Sequence, residues 1–302
     1  MTILIDPARW PAHGTVFSHL VSDTSLEELH AFAQEAGISP RAFDRDHYDV
    51  PLHCYQDLVS RGAVEVSGAE LVRRLVASGL RIPAARRPGK LDKVLGRRFD
   101  RLFPGHHDLN RGPVFQDLMD RWSEPHRHYH DTHHLLAVLN ALDLLERQGA
   151  DAGPFPRAIR LAAWFHDAVY LGDPDRPAGQ DEEDSAVLAE TVLDRMGLPS
   201  MEVEESARLV RLTVTHDPEE DDAAGQLFCD ADLEVLGRSP QDYARYLAAV
   251  RQDFSHVSDD RFARGRRAVV QQLLALDPIY RTAAARMRWE DQARHNLLSE
   301  LD

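Results

Sequence analysis

Five histidines fall within nine residues: His126, His128, His130, His133 and His134. Imidazole titrates near neutrality and is a common metal ligand, so this density points to a metal or acid–base site. The dipeptide His-Asp occurs four times, at His107-Asp108, His130-Asp131, His166-Asp167 and His216-Asp217, so alone it distinguishes nothing. Context separates the cases. His166-Asp167 ends the apolar run Leu161-Ala162-Ala163-Trp164-Phe165. A carboxylate carried into apolar surroundings is costly unless it is paired or binds a metal. The competing reading is a satisfied core histidine beside a helix-terminal aspartate. His130 and His134 stand four apart at the predicted start of a helix, a spacing that puts both on one face. Here the competing reading is a polar first turn with surface histidines. Asp230-Ala231-Asp232 follows the apolar Leu227-Phe228-Cys229. One of its carboxylates can complete a His/His/Asp/Asp set, and the other reads as a helix N-cap. Such a set with open positions suits Mn2+, Fe2+, Mg2+ or Zn2+.

The elements that must position these groups fall into two regions. Residues 2–5 and 15–21 read as short strands, and 26–36 as a helix stopped by Gly37. A second helix is expected after Pro51. Ala63-Val64-Glu65-Val66 reads as a strand, and Ser67 with Glu70 as the cap of a further helix. Residues 1–83 are therefore expected to form a small α/β domain. Residues 84–90, in a stretch with two prolines and no periodicity, read as a linker. Residues 91–302 carry helical spacing: one stripe is Leu135, Val138, Leu139, Leu142 and Leu145. Others are expected at 159–165, at 187–196 before Gly197, at 203–214, and over 241–254, 260–276 and 281–300. Segments 171–180 and 217–226 read as loops. The fold class is α+β and multidomain, with an α/β domain followed by an all-α domain.

Composition narrows the function classes. The chain has 302 residues and a formal net charge of −15. Residues 1–90 hold 10 basic and 11 acidic groups, whereas residues 91–302 hold 25 and 39. Such a segment repels a polyanion, which disfavours non-specific duplex binding but leaves a small phosphorylated substrate open. No apolar stretch approaches the ~20 residues of a membrane span. The start lacks a basic region and a secretory signal is not expected, and the two lone cysteines fit a reducing cytoplasm.

The helical segments together resemble the HD superfamily of metal-dependent phosphohydrolases, over roughly 110–302. The stretch Glu124-Pro125-His126-Arg127-His128-Tyr129-His130-Asp131-Thr132-His133-His134-Leu135 is similar to one subgroup of predicted HD phosphohydrolases. Trp164-Phe165-His166-Asp167-Ala168-Val169-Tyr170, Asp181-Glu182-Glu183-Asp184-Ser185-Ala186, Asp230-Ala231-Asp232-Leu233 and Glu290-Asp291-Gln292-Ala293-Arg294-His295-Asn296-Leu297 follow in that subgroup's order. Asp181 departs from its usual Asn. The resemblance implies an HD-type helical domain with metal on His134, His166, Asp167 and Asp232. The resemblance selects His134 over His133 because it stands four before Val138, as in the superfamily's His-x-x-x-Val, and Asp232 over Asp230 because it directly precedes Leu233, like the ligand Asp of related domains. The spacing Tyr129-His130-x-x-x-His134 is similar to that of cyclic-nucleotide phosphodiesterases, which implies His130 as proton donor to the leaving oxygen. Asp167 joins His130 in the catalytic set. The expected cofactor is a divalent ion, one of Mn2+, Fe2+, Mg2+, Co2+ or Ni2+.

Cationic groups would hold the remaining phosphate oxygens. Arg127, His216 and Arg294 are candidates, and for both arginines an internal ion pair is the competing reading. Glu182 is assigned to substrate, with a first-turn helix acid as the alternative for it and for Glu183. The amino-terminal region resembles an uncharacterised bacterial domain family over about 1–82, through Ile5-Asp6-Pro7-Ala8-Arg9-Trp10, His19-Leu20-Val21-Ser22-Asp23 and Asp46-His47-Tyr48-Asp49-Val50-Pro51. Asp6, His13, His19, Asp23, His47 and Asp49 satisfy no spacing rule and are read as turn and cap residues rather than a binding site.

The expected activity is hydrolysis of a phosphoester or phosphoanhydride of a nucleotide or a nucleic-acid end, by a cytoplasmic enzyme. One alternative is a metal- or nucleotide-binding sensor without turnover. Another is an RNA-processing factor that binds nucleic acid through Arg73, Arg74, Arg81, Arg86, Arg87 and Lys90.

Overall fold

The computed structural model describes residues 2–12, 14–81, 90–104 and 111–301. His13, His107-Asp108 and the linker expected at 84–90, except Lys90, lie outside the described residues. The chain divides into two compact units, Met1–Lys90 and Leu91–Asp302.

The first unit is a small α/β assembly of strands β1 (Ile3–Ile5), β2 (Trp10–Ala12) and β3 (Thr15–Ser22), helix α1 (Leu26–Glu35), strand β4 (Tyr48–Pro51), helix α2 (Leu52–Ser60), strand β5 (Val64–Glu65) and helix α3 (Gly68–Ala77). Strands β2 and β4 were not among the expected elements. Each is short and carries a proline, which sheets admit at edges and ends. Strand β3 pairs antiparallel with β1, β2 and β4, and β1 pairs parallel with β5. Alternation along the strands builds two cores. Ile3, Ile5, Leu20, Tyr48 and Val50 pack with residues of α1 and α2. Leu4 and Val21 pack on the other face with Leu71 and Leu75 of α3. Ser67 caps α3 by accepting the Glu70 N–H, as the Ser-x-x-Glu pattern predicts.

The second unit is helical throughout its described residues. It comprises α4 (Leu91–Asp100), α5 (Arg111–Trp122), α6 (Thr132–Arg147), α7 (Pro156–Phe165), α8 (Gln180–Arg195), α9 (Ser200–Leu212), α10 (Ala223–Asp232), a 3-10 turn (Leu233–Gly237), α11 (Pro240–Asp253), α12 (Asp259–Ala275) and α13 (Ala283–Leu298). Helix α6 buries the stripe Leu135, Val138, Leu139, Leu142 and Leu145. Helix α7 is buried from Leu161 to Phe165, an apolar second half that follows Arg157 and Arg160, which pair with Glu202 and Glu146. The Trp122 indole N–H donates to the Trp164 carbonyl at 2.9 Å and ties α5 to α7.

Helix α10 corrects the expectation of a loop over 217–226. Asp222 accepts the Gly225 N–H and starts the helix within the acidic stretch. No helix of the described residues is long and apolar enough to cross a membrane.

Candidate metal centre

Four helices bring five polar groups together, two of them from the end of α7. His134 lies in the first turn of α6, whose N-cap Asp131 accepts the N–H groups of His133 and His134. His166 and Asp167 follow the end of α7, and Asp232 closes α10. Glu182 belongs to the first turn of α8. His134 Nε2 stands 3.1 Å from His166 Nε2, 3.1 Å from Asp232 Oδ1 and 3.6 Å from Asp167 Oδ2. His166 Nε2 is 3.1 Å from Asp167 Oδ2 and 3.3 Å from Asp232 Oδ1. Ligand atoms on an ion with bonds of about 2.0–2.2 Å stand about 3.0–3.5 Å apart at right-angled to tetrahedral geometry. The donor set therefore fits a divalent cation, and His134, His166 and Asp167 form a group able to hold one.

The donor chemistry agrees. The Nδ1–H of His166 donates to the Ala163 carbonyl at 3.0 Å, which leaves Nε2 as the free nitrogen. Burial opposes charge on His166, but the carboxylates of Asp167 and Asp232 raise its pKa well above the usual range. Burial alone would push both aspartates up; His166 beside them holds both well below the ordinary carboxylate range. Two buried anionic oxygens facing two imidazole nitrogens is the electrostatic complement of a cation.

The cluster opens on a cavity of about 450 Å³ in the helical unit. His130, Tyr170, Glu182 and His216 line it beside the ligand set, and Phe254 and Phe262 contribute apolar wall. His130 does not share a helix face with His134. It precedes the N-cap and reaches the cavity from the turn, where its ring stacks on Tyr170 at 4.2 Å between centroids. Its Nδ1–H donates to Asp253 Oδ2 at 2.8 Å. Asp253, buried at the end of α11, also accepts the N–H groups of His128 and Tyr129. Burial pushes the Asp253 carboxyl up, but His130 and these N–H groups hold it below its ordinary value. Asp253 was not anticipated, and no motif or spacing around it signals the contact.

His216 follows α9 in the left-handed region at φ 52°, an uncommon conformation for a side chain other than glycine. This turn points Nε2 at Asp232 Oδ2, 2.9 Å away. Burial raises the pKa of Glu182, and the charges of Asp167 and Asp181 add to the rise. Glu182 is thus both a first-turn acid and a cavity residue, whereas Glu183 pairs with Arg211.

Three sequence expectations are corrected. Arg127 is buried, and its guanidinium donates to Glu124 and to the carbonyls of His130, Asp167 and Ala168, so it braces the site and does not face substrate. Arg294 is engaged by Glu290 and Asp277 and does not line the cavity. Asp230 is no N-cap of its own helix: its carboxylate accepts the N–H groups of Arg281 and Thr282 at 2.7 Å each, anchoring the start of α13. Asp181, the departure from the subgroup's asparagine, accepts the N–H groups of Leu171 and Gly172 and pairs with Arg176. Arg261 lines the cavity and was not anticipated, one guanidinium in an arginine-rich chain.

Residues 3–78 match a family described as "Protein of unknown function (DUF4031)". The match lies within the α/β unit. No curated protein and no solved structure matches the chain.

Proposed function

We propose that the helical unit is a divalent-metal-dependent phosphohydrolase acting on a phosphoester or phosphoanhydride, with a nucleotide or nucleic-acid end as substrate. The observation that carries this reading is the convergence of His134, His166, Asp167 and Asp232 at ligand spacing, with His134, Asp167 and Asp232 lining an otherwise largely apolar cavity and His166 buried behind them. A bound divalent ion would supply an acidified water and polarise a phosphoryl oxygen. His130 is the proton donor. Asp253 fixes its Nδ1–H, so Nε2 is the nitrogen left to protonate the departing oxygen as the P–O bond breaks. Glu182, kept more basic than an ordinary carboxylate, takes the proton that the attacking water releases. His216 orients Asp232 and lines the cavity where the phosphoryl group would lie. Arg261 on α12 lines the cavity but is paired with Asp175, so it would have to exchange that carboxylate to hold an anionic part of the substrate, and Phe254 and Phe262 offer aromatic faces to its organic part.

The RNA-processing alternative loses support from the basic cluster of the α/β unit. Arg73 is paired with Glu70, Arg74 with Asp23 and Arg81 with Asp46. Arg86 and Arg87 lie outside the described residues. The remaining alternative, a sensor without turnover, is separated by assay. The test is a panel of Mn2+, Mg2+, Co2+, Ni2+ and Fe2+ against mononucleotides, triphosphates, 2′,3′- and 3′,5′-cyclic phosphates and oligonucleotide ends. The proposal expects phosphate release in at least one combination, with metal and activity lost in His166→Ala and Asp167→Ala proteins. Full metal content and activity in both variants would sink it.

A further inference from the structure

The α/β unit gathers a second set of ligand-type side chains that the proposed reaction does not use. His19 on β3 stands directly opposite Asp49 on β4 in the antiparallel register. Opposed residues bring their β-carbons within about 5.5 Å, and residues two apart share a face. His47, two before Asp49, therefore joins them. Their neighbours Leu20, Tyr48 and Val50 point into the core with α1 and α2, so His19 and Asp49 emerge from the opposite face. The ligand atoms of His19, His47 and Asp49 lie within 4.8 Å of one another. His47 Nε2 is 3.4 Å and His19 Nε2 4.0 Å from the same oxygen, Asp49 Oδ1.

Both imidazoles are held from behind by a buried carboxylate. Asp6 Oδ2 is 3.0 Å from His19 Nδ1, and Asp46 Oδ1 is 2.5 Å from His47 Nδ1. Asp6 also accepts the His19 N–H, and Asp46 pairs with Arg81. Asp6 is only 4% exposed and Asp46 fully buried. A carboxylate buried behind the Nδ1 of a histidine fixes the tautomer and leaves Nε2 with a free lone pair. That arrangement supports a metal-bound imidazole. Here it occurs twice, with both Nε2 atoms turned to one half-exposed carboxylate.

We propose that His19 Nε2, His47 Nε2 and Asp49 form a binding site for a divalent transition ion, with Asp6 and Asp46 as its outer partners. Two nitrogens and one carboxylate suit Zn2+, Co2+, Ni2+ or Fe2+ over Mg2+ or Ca2+. The site is separate from the helical cluster and stands whether or not the phosphohydrolase reading does. The Trp10 ring lies 5.4 Å from the His19 ring and is the sole tryptophan of residues 1–90, so it reports on the site.

The test uses the full chain, stripped by chelator and loaded with Co2+ or Zn2+. Metal per chain is measured after gel filtration, and Co2+ quenching of tryptophan emission is followed in parallel. His166→Ala is the parent background, so that the helical cluster does not contribute. The proposal expects one equivalent in that parent and strong quenching that disappears in Trp10→Phe. His19→Ala and Asp49→Asn should each lose the equivalent and the quenching. Asp49→Asn is nearly isosteric and half exposed, so its fold survives, and circular dichroism checks both variants. Asp6→Asn should weaken Co2+ about 10- to 100-fold at unchanged stoichiometry. Unaltered stoichiometry and quenching in folded His19→Ala and Asp49→Asn would overturn the proposal, as would a parent that binds no Co2+ near Trp10.

Discussion

Replacing Asp253 by Asn exchanges one oxygen for an amide on the side chain that holds His130. The carboxylate accepts from His130 Nδ1 at 2.8 Å and Tyr129 N at 3.2 Å, and also from His128 N. It accepts only, whereas Asn offers a single acceptor oxygen and two donors. If that oxygen serves the backbone, the amide faces Nδ1 and His130 loses its anionic partner. A hydrogen bond to a charged group contributes about 1.5–3 kcal/mol. At about 1.4 kcal/mol per tenfold this is on the order of 10- to 100-fold in rate. The assay is turnover of a nucleoside phosphoester beside a nitrophenyl phosphoester, with metal content measured on the same samples. Nitrophenolate departs without a proton, so Asp253→Asn should slow the nucleoside substrate by that factor and leave the nitrophenyl substrate nearly unchanged. In a His130→Ala background the substitution should do nothing further to kcat, because both changes remove one function. Equal losses on both substrates, or an additive loss in the double variant, would refute the positioning role.

Glu182→Gln should keep full metal content and lower kcat at least ~10-fold, as expected for a proton acceptor; unchanged kcat removes that role. Arg127→Met leaves three carbonyls, one buried and two part-buried, without this donor. At roughly 1–3 kcal/mol for an unsatisfied group and about 2–4 °C per kcal/mol, the melting temperature should fall by ~5 °C or more, with KM little changed if substrate does not touch it. Gly237→Ala places a β-carbon 2.8 Å from Trp289 Cγ and 2.9 Å from its Cα. Backbone cannot yield cheaply, so about 1–3 kcal/mol of stability should be lost in urea titration. Asp222→Ala removes the cap of α10 and the partner of Arg208, at about 0.5–2 kcal/mol. Burial pushes the Asp222 carboxyl up, but Arg208 and the Gly225 N–H hold it below the ordinary 3.8. Its folded pKa is depressed, so its contribution is present above 3.8 and fades as pH falls through the folded value. The gap in urea midpoint between the natural chain and Asp222→Ala should therefore narrow below pH 3.8.

What the sequence made legible depended on the range of the interaction. The stripe of α6, the Ser67 cap and the apolar approach to His166-Asp167 are local patterns, and the helices follow them. The residues carried over from the family resemblance, His134, His166, Asp167 and Asp232, stand together at the cavity. Asp253 is invisible locally because α11 brings it to the histidine turn from 123 residues away. The trio His19, His47 and Asp49, expected as turn and cap residues, is brought together by strand register, which no local pattern carries. That register exists because Tyr48–Pro51 forms a strand paired to β3. Of the other residues so read, Asp23 does act as a turn anchor, accepting the Thr2 N–H. Arg127 and Arg294 failed for a different reason: residue type says that a guanidinium will find anions or carbonyls, not whose they are.

The most direct measurement is anomalous X-ray scattering from crystals of the full chain grown with Mn2+ or Co2+. The account predicts a peak about 2.0–2.3 Å from His134 Nε2, His166 Nε2 and one oxygen each of Asp167 and Asp232. Saturating ion that leaves this point without a peak, while the four side chains keep their places, would contradict it.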